Sequence, residues 1–185
     1  MKFQETKIAG SYVIDIRRIE DQRGFFARTW CKNEFAEHGL SSDITQTNMA
    51  LSVSAGTLRG MHFQRSPHSE VKIVSCSAGA VFDVVLDLRP ESPTYCQWFG
   101  LELNAENFRM LYIPTGCAHG YQTIRDNTVL NYATSAAYAP NHATGVRFDD
   151  PTFAIEWPLQ VNVISEADVS WPDFSAVTGT EAGES

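Results

Sequence analysis

Apolar and polar residues alternate with a period of two along much of the chain. In Val81-Phe-Asp-Val-Val-Leu-Asp-Leu88, Phe82, Val84, Leu86 and Leu88 share one side, while Asp83 and Asp87 take the other. Successive side chains leave a β-strand on opposite faces, so this run predicts a strand. Similar runs predict strands over Val71–Cys76, Trp98–Leu103, Arg109–Ile113, Gly120–Ile124 and Thr128–Thr134. Turn formers separate them: Ser77-Ala-Gly79, Arg89-Pro-Glu-Ser-Pro93, Asn104-Ala-Glu-Asn107, Pro114-Thr-Gly116 and Arg125-Asp-Asn127. Short strands at this spacing predict an all-β, antiparallel sandwich or barrel. Only Cys31–His38 reads as helix, with Gly39 placed to end it. No repeat, heptad or linker breaks the pattern. Residues 1–174 are therefore expected to form one domain, and the small, polar residues 175–185 a mobile tail.

Composition narrows the function. With 14 basic and 22 acidic residues the formal charge is −8. A nucleic-acid surface would need a clustered basic footprint. A phosphorylated small molecule is still admissible, because a few cationic residues in a cleft outweigh a distant acidic exterior. The opening Met-Lys-Phe-Gln-Glu-Thr has no apolar core of a signal peptide, and no stretch nears the roughly 18 apolar residues of a membrane span. A cytoplasmic location is expected, with neither membrane nor nucleic acid as partner. Cys31, Cys76, Cys96 and Cys117 lack CxxC or zinc-finger spacing. They are expected as reduced thiols, Cys76 and Cys117 as small core residues.

The chemistry concentrates in Gly56-Thr-Leu-Arg-Gly-Met-His-Phe-Gln64, with Lys72 ten residues beyond His62. Removing a proton from carbon beside a ketone needs a base of near-neutral pKa, which histidine is. A carboxylate such as Asp168 can orient that base and stabilise its imidazolium. Fixed positive charge from Lys72 in a dry cavity would hold the enolate oxygen. Inversion also needs an acid on the opposite face, and Tyr132 shares a strand face with Leu130 and Thr134. Pro114-Thr-Gly116-Cys-Ala-His119 has the spacing of a cupin PxGxxH motif, a turn aiming His119 into a barrel mouth. The HxH pair of a metal cupin is broken, because Gln64 stands two residues after His62; His62 and His119 alone make a poor metal site. No metal and no cofactor are expected. One parity conflict stands: in an unbroken strand Arg59 and His62 face opposite sides. Either Gly60 permits a bulge, or Arg59 acts elsewhere, for instance across a subunit boundary.

Seven motifs together resemble the dTDP-4-dehydrorhamnose 3,5-epimerase family, from about Phe3 to Phe174. They are Asp21-Gln-Arg-Gly-Phe-Phe26, Gln46-Thr-Asn48, the segment ending at Gln64, Val81 through Arg89, Ile113-Pro-Thr-Gly-Cys-Ala-His-Gly120, Phe148-Asp-Asp-Pro151 and Ile164-Ser-Glu-Ala-Asp168. The resemblance implies a cupin-like jelly roll without catalytic metal, a homodimer with exchanged N-terminal strands, and cofactor-free epimerisation of a nucleotide-linked 4-keto-6-deoxy sugar. Such pairing would also cover open sheet edges. It implies His62 as base, Asp168 as its orienting carboxylate, Tyr132 as proton donor and Lys72 near the C4 oxygen. Arg23, Gln46, Asn48, Arg59 and His119 match substrate-binding positions, and Tyr138 the tyrosine that stacks on the nucleotide base.

Three positions depart from the family pattern. Arg28 stands where a glutamate usually contacts the base, Ala133 where a lysine often follows the catalytic tyrosine, and Ala167 where a lysine contacts the diphosphate. A guanidinium binds phosphate oxygens bidentately, so Arg28 is expected to contact the nucleotide portion. The favoured activity is inversion at C3, C5 or both, with dTDP-4-dehydro-6-deoxyglucose converted to dTDP-4-dehydrorhamnose as the leading case. The alternatives are a C3-only epimerase on another nucleotide sugar and a non-catalytic cupin that binds sugar nucleotides. A metal-dependent oxygenase is disfavoured by the broken HxH.

Overall fold

The alternating runs become two facing antiparallel sheets. The computed structural model describes residues 1–174, and the tail expected over 175–185 lies outside the described residues. One sheet has six strands in the order β1 (Lys2–Glu5), β2 (Tyr12–Asp15), β10 (Arg109–Ile113), β7 (Lys72–Ala78), β12 (Thr128–Thr134) and β5 (Gln46–Ser52). The other has five, in the order β13 (Ala143–Gly145), β6 (Leu58–Gln64), β11 (Cys117–Thr123), β8 (Ala80–Asp87) and β9 (Trp98–Asn104). A separate hairpin joins β3 (Arg18–Asp21) to β4 (Gly24–Ala27).

The main core lies between the sheets. Val74, Cys76, Leu111, Ile113 and Leu130 from the six-stranded sheet meet Val81, Val85, Leu103 and Cys117 from the five-stranded one. Cys76 and Cys117 are thus buried thiols, and all four cysteines are free. Burial pushes the Cys117 thiol up to about 12 and the Cys76 thiol up to about 11, which leaves both protonated and unreactive.

Strand β8 alternates as its sequence predicts, but neither face is solvated. Val84 and Leu86 turn outward into a second core closed by Val146, Phe153 and Trp157 of the C-terminal segment. Gln122 pins that segment, exchanging hydrogen bonds of 2.9 Å with the backbone of Leu159 in both directions. The opposite face of β8 therefore turns Asp83 and Asp87 into the interior, where both are fully buried. Asp87 accepts from Arg89, Ser92 and Thr94 at 2.5–2.8 Å. Burial would raise its carboxyl, but these hydrogen bonds win and hold it far below the usual carboxylate range.

The expected helix is α1 (Lys32–Glu37), ended by Gly39 at φ +68°. Its one buried residue, Phe35, sits against Ile14, Ile73 and Tyr112 on the outer face of the six-stranded sheet, a burial worth about 1.5–3 kcal/mol. The expectation of a single helix is corrected: α2 (Glu166–Val169) also forms. Four residues are too few for any amphipathic period to show. Its start is fixed instead by Ser165, whose Oγ accepts from the Asp168 N–H at 3.1 Å.

Two stretches keep apolar surface in water. Edge strand β5 exposes Met49 and Leu51, continued by Val53, and the β3–β4 hairpin exposes Ile19, Phe25 and Phe26. Among the described residues no helix is long and apolar enough to cross a membrane.

Candidate active site

A cavity of about 680 Å³ opens between the sheets, a size suited to a small ligand. One wall is the inner face of the six-stranded sheet. There Gln46 and Asn48 on β5, Lys72 on β7 and Tyr132 on β12 line it. Strand register places Tyr132 directly beside Asn48 and Thr134 beside Lys72. The other wall is the five-stranded sheet, with Arg59 and His62 on β6 facing Tyr121 and His119 on β11.

The parity conflict at Arg59 and His62 is resolved by a bulge. His62 is register partner to His119 and Arg59 to Tyr121, so Gly60 and Met61 together oppose Gly120. Met61 sends its side chain to the outer core, and Arg59 and His62 both reach the cavity. Gly60 has φ +130°, and a Cβ there would stand 2.5 Å from the Gly120 Cα and 2.9 Å from the His119 carbonyl oxygen. Only glycine fits so close to a neighbouring backbone.

His62 Nε2 lies 2.5 Å from Asp168 Oδ1, and Asp168 Oδ2 accepts from the Gly60 N–H at 3.3 Å. Burial would raise the Asp168 carboxyl, but the hydrogen bond and charge of His62, then Gly60 and Ser165, outweigh it and hold the group below its usual value. Asp168 is thus an anion, which favours the tautomer that donates Nε2–H to it and leaves Nδ1 as the basic nitrogen. A second pair stands alongside: His119 Nε2 is 2.8 Å from Asp83 Oδ1.

Lys72 is buried, its Nζ 3.2 Å from Glu70 and donating to the His62 carbonyl oxygen at 3.1 Å. Burial pushes its ammonium below the usual lysine value, partly offset by Glu70 and Asp83. Burial raises the Tyr132 phenol, with the Arg59 charge acting against it and Glu70 with it. Tyr132 therefore keeps its proton at neutral pH, as a proton donor must.

Of the residues singled out in the sequence, His62, Tyr132, Asp168, Lys72, Gln46, Asn48, Arg59, His119 and Tyr138 all line this cavity. Gln46 Oε1 accepts from the Tyr138 N–H at 3.1 Å, which ties the exposed Tyr138 to the rim. Arg23 and Arg28 are not brought to it within this chain. Arg23 sits at the hairpin tip, paired with Asp21 at 2.6 Å, and Arg28 pairs with Glu34 of α1 at 2.7 Å. The departures Ala133 and Ala167 part ways: Ala167 lines the cavity, and Ala133 lies on the other face of β12.

Glu70, Tyr121 and Trp171 also line the cavity, and the pattern of the sequence did not single them out for this role. Glu70 had a signal, since two residues before Lys72 it leaves the same face of an extended segment. Trp171 had none; it reaches the wall because Gly145 leaves it room. Among the described residues no cluster of three or more His, Cys, Asp or Glu could hold a metal ion.

The profile of the dTDP-4-dehydrorhamnose 3,5-epimerase family matches residues 5–176. The chain belongs to that family. A relative from Sinorhizobium fredii, named dTDP-4-dehydrorhamnose 3,5-epimerase, is 40% identical over 175 residues, covering 94% of this chain and 90% of its own. The crystal structure of dTDP-4-dehydrorhamnose 3,5-epimerase from Elizabethkingia anophelis has a TM-score of 0.92 and 35% identity, covering 95% of this chain and 97% of that one. ChmJ from Streptomyces bikiniensis, described as a 3'-monoepimerase and solved with dTDP-quinovose, has a TM-score of 0.86 and 28% identity, covering 94% of this chain and 88% of its own. The family resemblance carried by the seven motifs is thus borne out, and so is the cupin-like all-β fold it implied. This places the protein among the isomerases.

Proposed function

We propose that the protein inverts C3 and C5 of a nucleotide-linked 4-keto-6-deoxy hexose, with dTDP-4-dehydro-6-deoxyglucose as substrate and dTDP-4-dehydrorhamnose as product. The observation that carries this is a histidine–carboxylate pair and a tyrosine on opposite walls of one cavity, with a buried ammonium bonded to the histidine's strand. His62 Nδ1 takes the proton from carbon beside the ketone. The C–H electron pair becomes the enolate double bond, and charge moves onto the C4 oxygen, where Lys72 stabilises it. Tyr132 then gives its proton to the same carbon from the opposite face, and the ketone re-forms with inverted configuration. The imidazolium and tyrosinate return to their starting states by exchange with solvent. No cofactor enters this scheme. Arg59, Gln46, Asn48 and His119 hold the sugar and diphosphate, and Tyr138 stacks on the base at the rim.

We further propose a homodimer with exchanged N-terminal strands. The apolar hairpin and the uncovered face of edge strand β5 support it, since a partner would bury both. Exchange would also carry Arg23 and Arg28 toward the partner's cavity. We expect the protein in the cytoplasm, alongside nucleotide sugars. A C3-only reaction is the second reading, favoured by the likeness to ChmJ.

Proton NMR in D2O tests the reaction on dTDP-, CDP-, UDP- and GDP-linked 4-keto-6-deoxy sugars. Loss of both H3 and H5 signals from the dTDP substrate is expected; loss of H3 alone selects the second reading. No washout from any substrate would leave a sugar-nucleotide-binding cupin. Tyr132→Phe should keep deuterium entry from the His62 side while epimer formation falls by about 10²-fold. Equal loss of both would assign Tyr132 to a structural role or to enolate formation.

A further inference from the structure

Lys72 holds its ammonium inside the cavity, away from water. It has one carboxylate at ion-pair distance among the described residues, Glu70 at 3.2 Å, and one backbone acceptor, the His62 carbonyl oxygen at 3.1 Å. Glu70 is itself buried, its side chain only 5% exposed, and its Oε2 has no hydrogen-bond partner among the described residues. A carboxylate kept in the interior for hydrogen bonding would engage both oxygens. Glu70 turns one oxygen on Lys72 and leaves the other bare. Its negative charge, more than its hydrogen-bonding capacity, is what the site uses.

We propose that Glu70 is a positioning residue of this active site, the counter-carboxylate that keeps the Lys72 side chain charged and fixed between Glu70 and the His62 strand. Burial drives a lysine toward the neutral amine, and a neutral amine stabilises a developing oxyanion far less than an ammonium does. A contact carboxylate opposes that drift. Among the other ionisable groups packed about Lys72, a second carboxylate adds to this less directly. Asp83 on β8 acts in the same sense from farther off, and its carboxylate is engaged by His119. Arg59 on β6 carries like charge and acts in the opposite sense, and His62 on β6, His119 and Tyr121 on β11, Tyr132 on β12 and Asp168 on α2 also line the cavity. Fixing the ammonium also fixes the strand of His62, because its second partner is the His62 backbone.

What Lys72 does in catalysis rests on the epimerase reading, whereas control of Lys72 by Glu70 does not, and the experiment separates the two. In protein labelled with 13C-lysine, the Lys72 Cε signal is assigned by its absence from Lys72→Met and titrated without substrate. In Glu70→Gln its midpoint should fall by about one pH unit or more, the usual effect of removing an opposite charge at contact. Glu70→Asp should hold it near the wild-type value. The alkaline limb of kcat/KM for H3 and H5 washout should move to lower pH by the same amount, with KM at neutral pH little changed. Should Glu70→Gln not fold, Glu70→Ala against Glu70→Asp makes the same comparison. An unchanged Lys72 midpoint in the uncharged variant overturns the proposal. A wild-type protein that titrates as expected yet gives no washout overturns the epimerase reading and leaves the Glu70–Lys72 coupling standing.

Discussion

Two histidine–carboxylate pairs stand side by side here, on residues that face each other across β6 and β11. Both rings use Nε2, on Asp168 at 2.5 Å and on Asp83 at 2.8 Å. They differ in access. The His62 side chain is 45% exposed, while that of His119 is 9% exposed and Asp83 is sealed completely. A base must meet its substrate and shed its proton to solvent, so the open pair suits proton transfer and the closed pair suits holding a ligand from below. The same two residue types, paired the same way, acquire different work from the depth at which the fold sets them.

Substituting the histidines should expose that division most strongly. His62→Ala should lower washout at every exchangeable position by about 10²–10⁴-fold, the range of general base catalysis. His119→Ala should instead raise KM, by about tenfold, with kcat little changed, the mark of uniform binding lost. Steady-state washout kinetics on both variants decide it. Equal kcat losses would merge the two pairs into one catalytic unit.

The carboxylates should divide in the same way, with smaller effects. Asp168→Asn removes the charge that stabilises the imidazolium and should lower washout, by less than His62→Ala does. Asp83→Asn should act on stability: a buried amide nitrogen would replace an oxygen that already lacks a partner, Oδ2, at about 1–3 kcal/mol. Urea unfolding together with washout rates separates the outcomes, and a stability loss in Asp168→Asn larger than in Asp83→Asn would break the contrast.

The smallest effect is in acid. Because the native Asp168 carboxyl is depressed, its contribution to stability is complete above the unfolded value of about 3.9 and is lost as pH falls through the native one. Asp168→Asn should therefore lower stability by a constant amount above about pH 4 and flatten the acid limb below it, as urea unfolding across pH would read. If the limb does not change, the depressed Asp87 dominates acid unfolding instead.

Much of this was legible along the chain. The strand alternation of Val81 through Leu88 and the helix ended by Gly39 follow from residue type and spacing, because local sterics fix side-chain direction; the roles of His62, Lys72, Tyr132 and Asp168 were legible from their chemistry and the family resemblance. Alternation names a side, however, and cannot say what covers it. Asp83 and Asp87 were legible as sharing a face, and only the packed sandwich made that face interior. The bulge at Gly60 was legible as one of two ways out of the Arg59–His62 conflict, and only its fit against Gly120 selected it. Helix α2, the reach of Trp171 and the contact of Glu70 with a buried ammonium depend on residues brought together across the fold. Such contacts are made by chain closure between distant segments, and their energies belong to no local stretch of sequence. Residue type along the chain names the groups that could do the chemistry; packing between distant segments sets which of them are open to a substrate and which are buried beneath it.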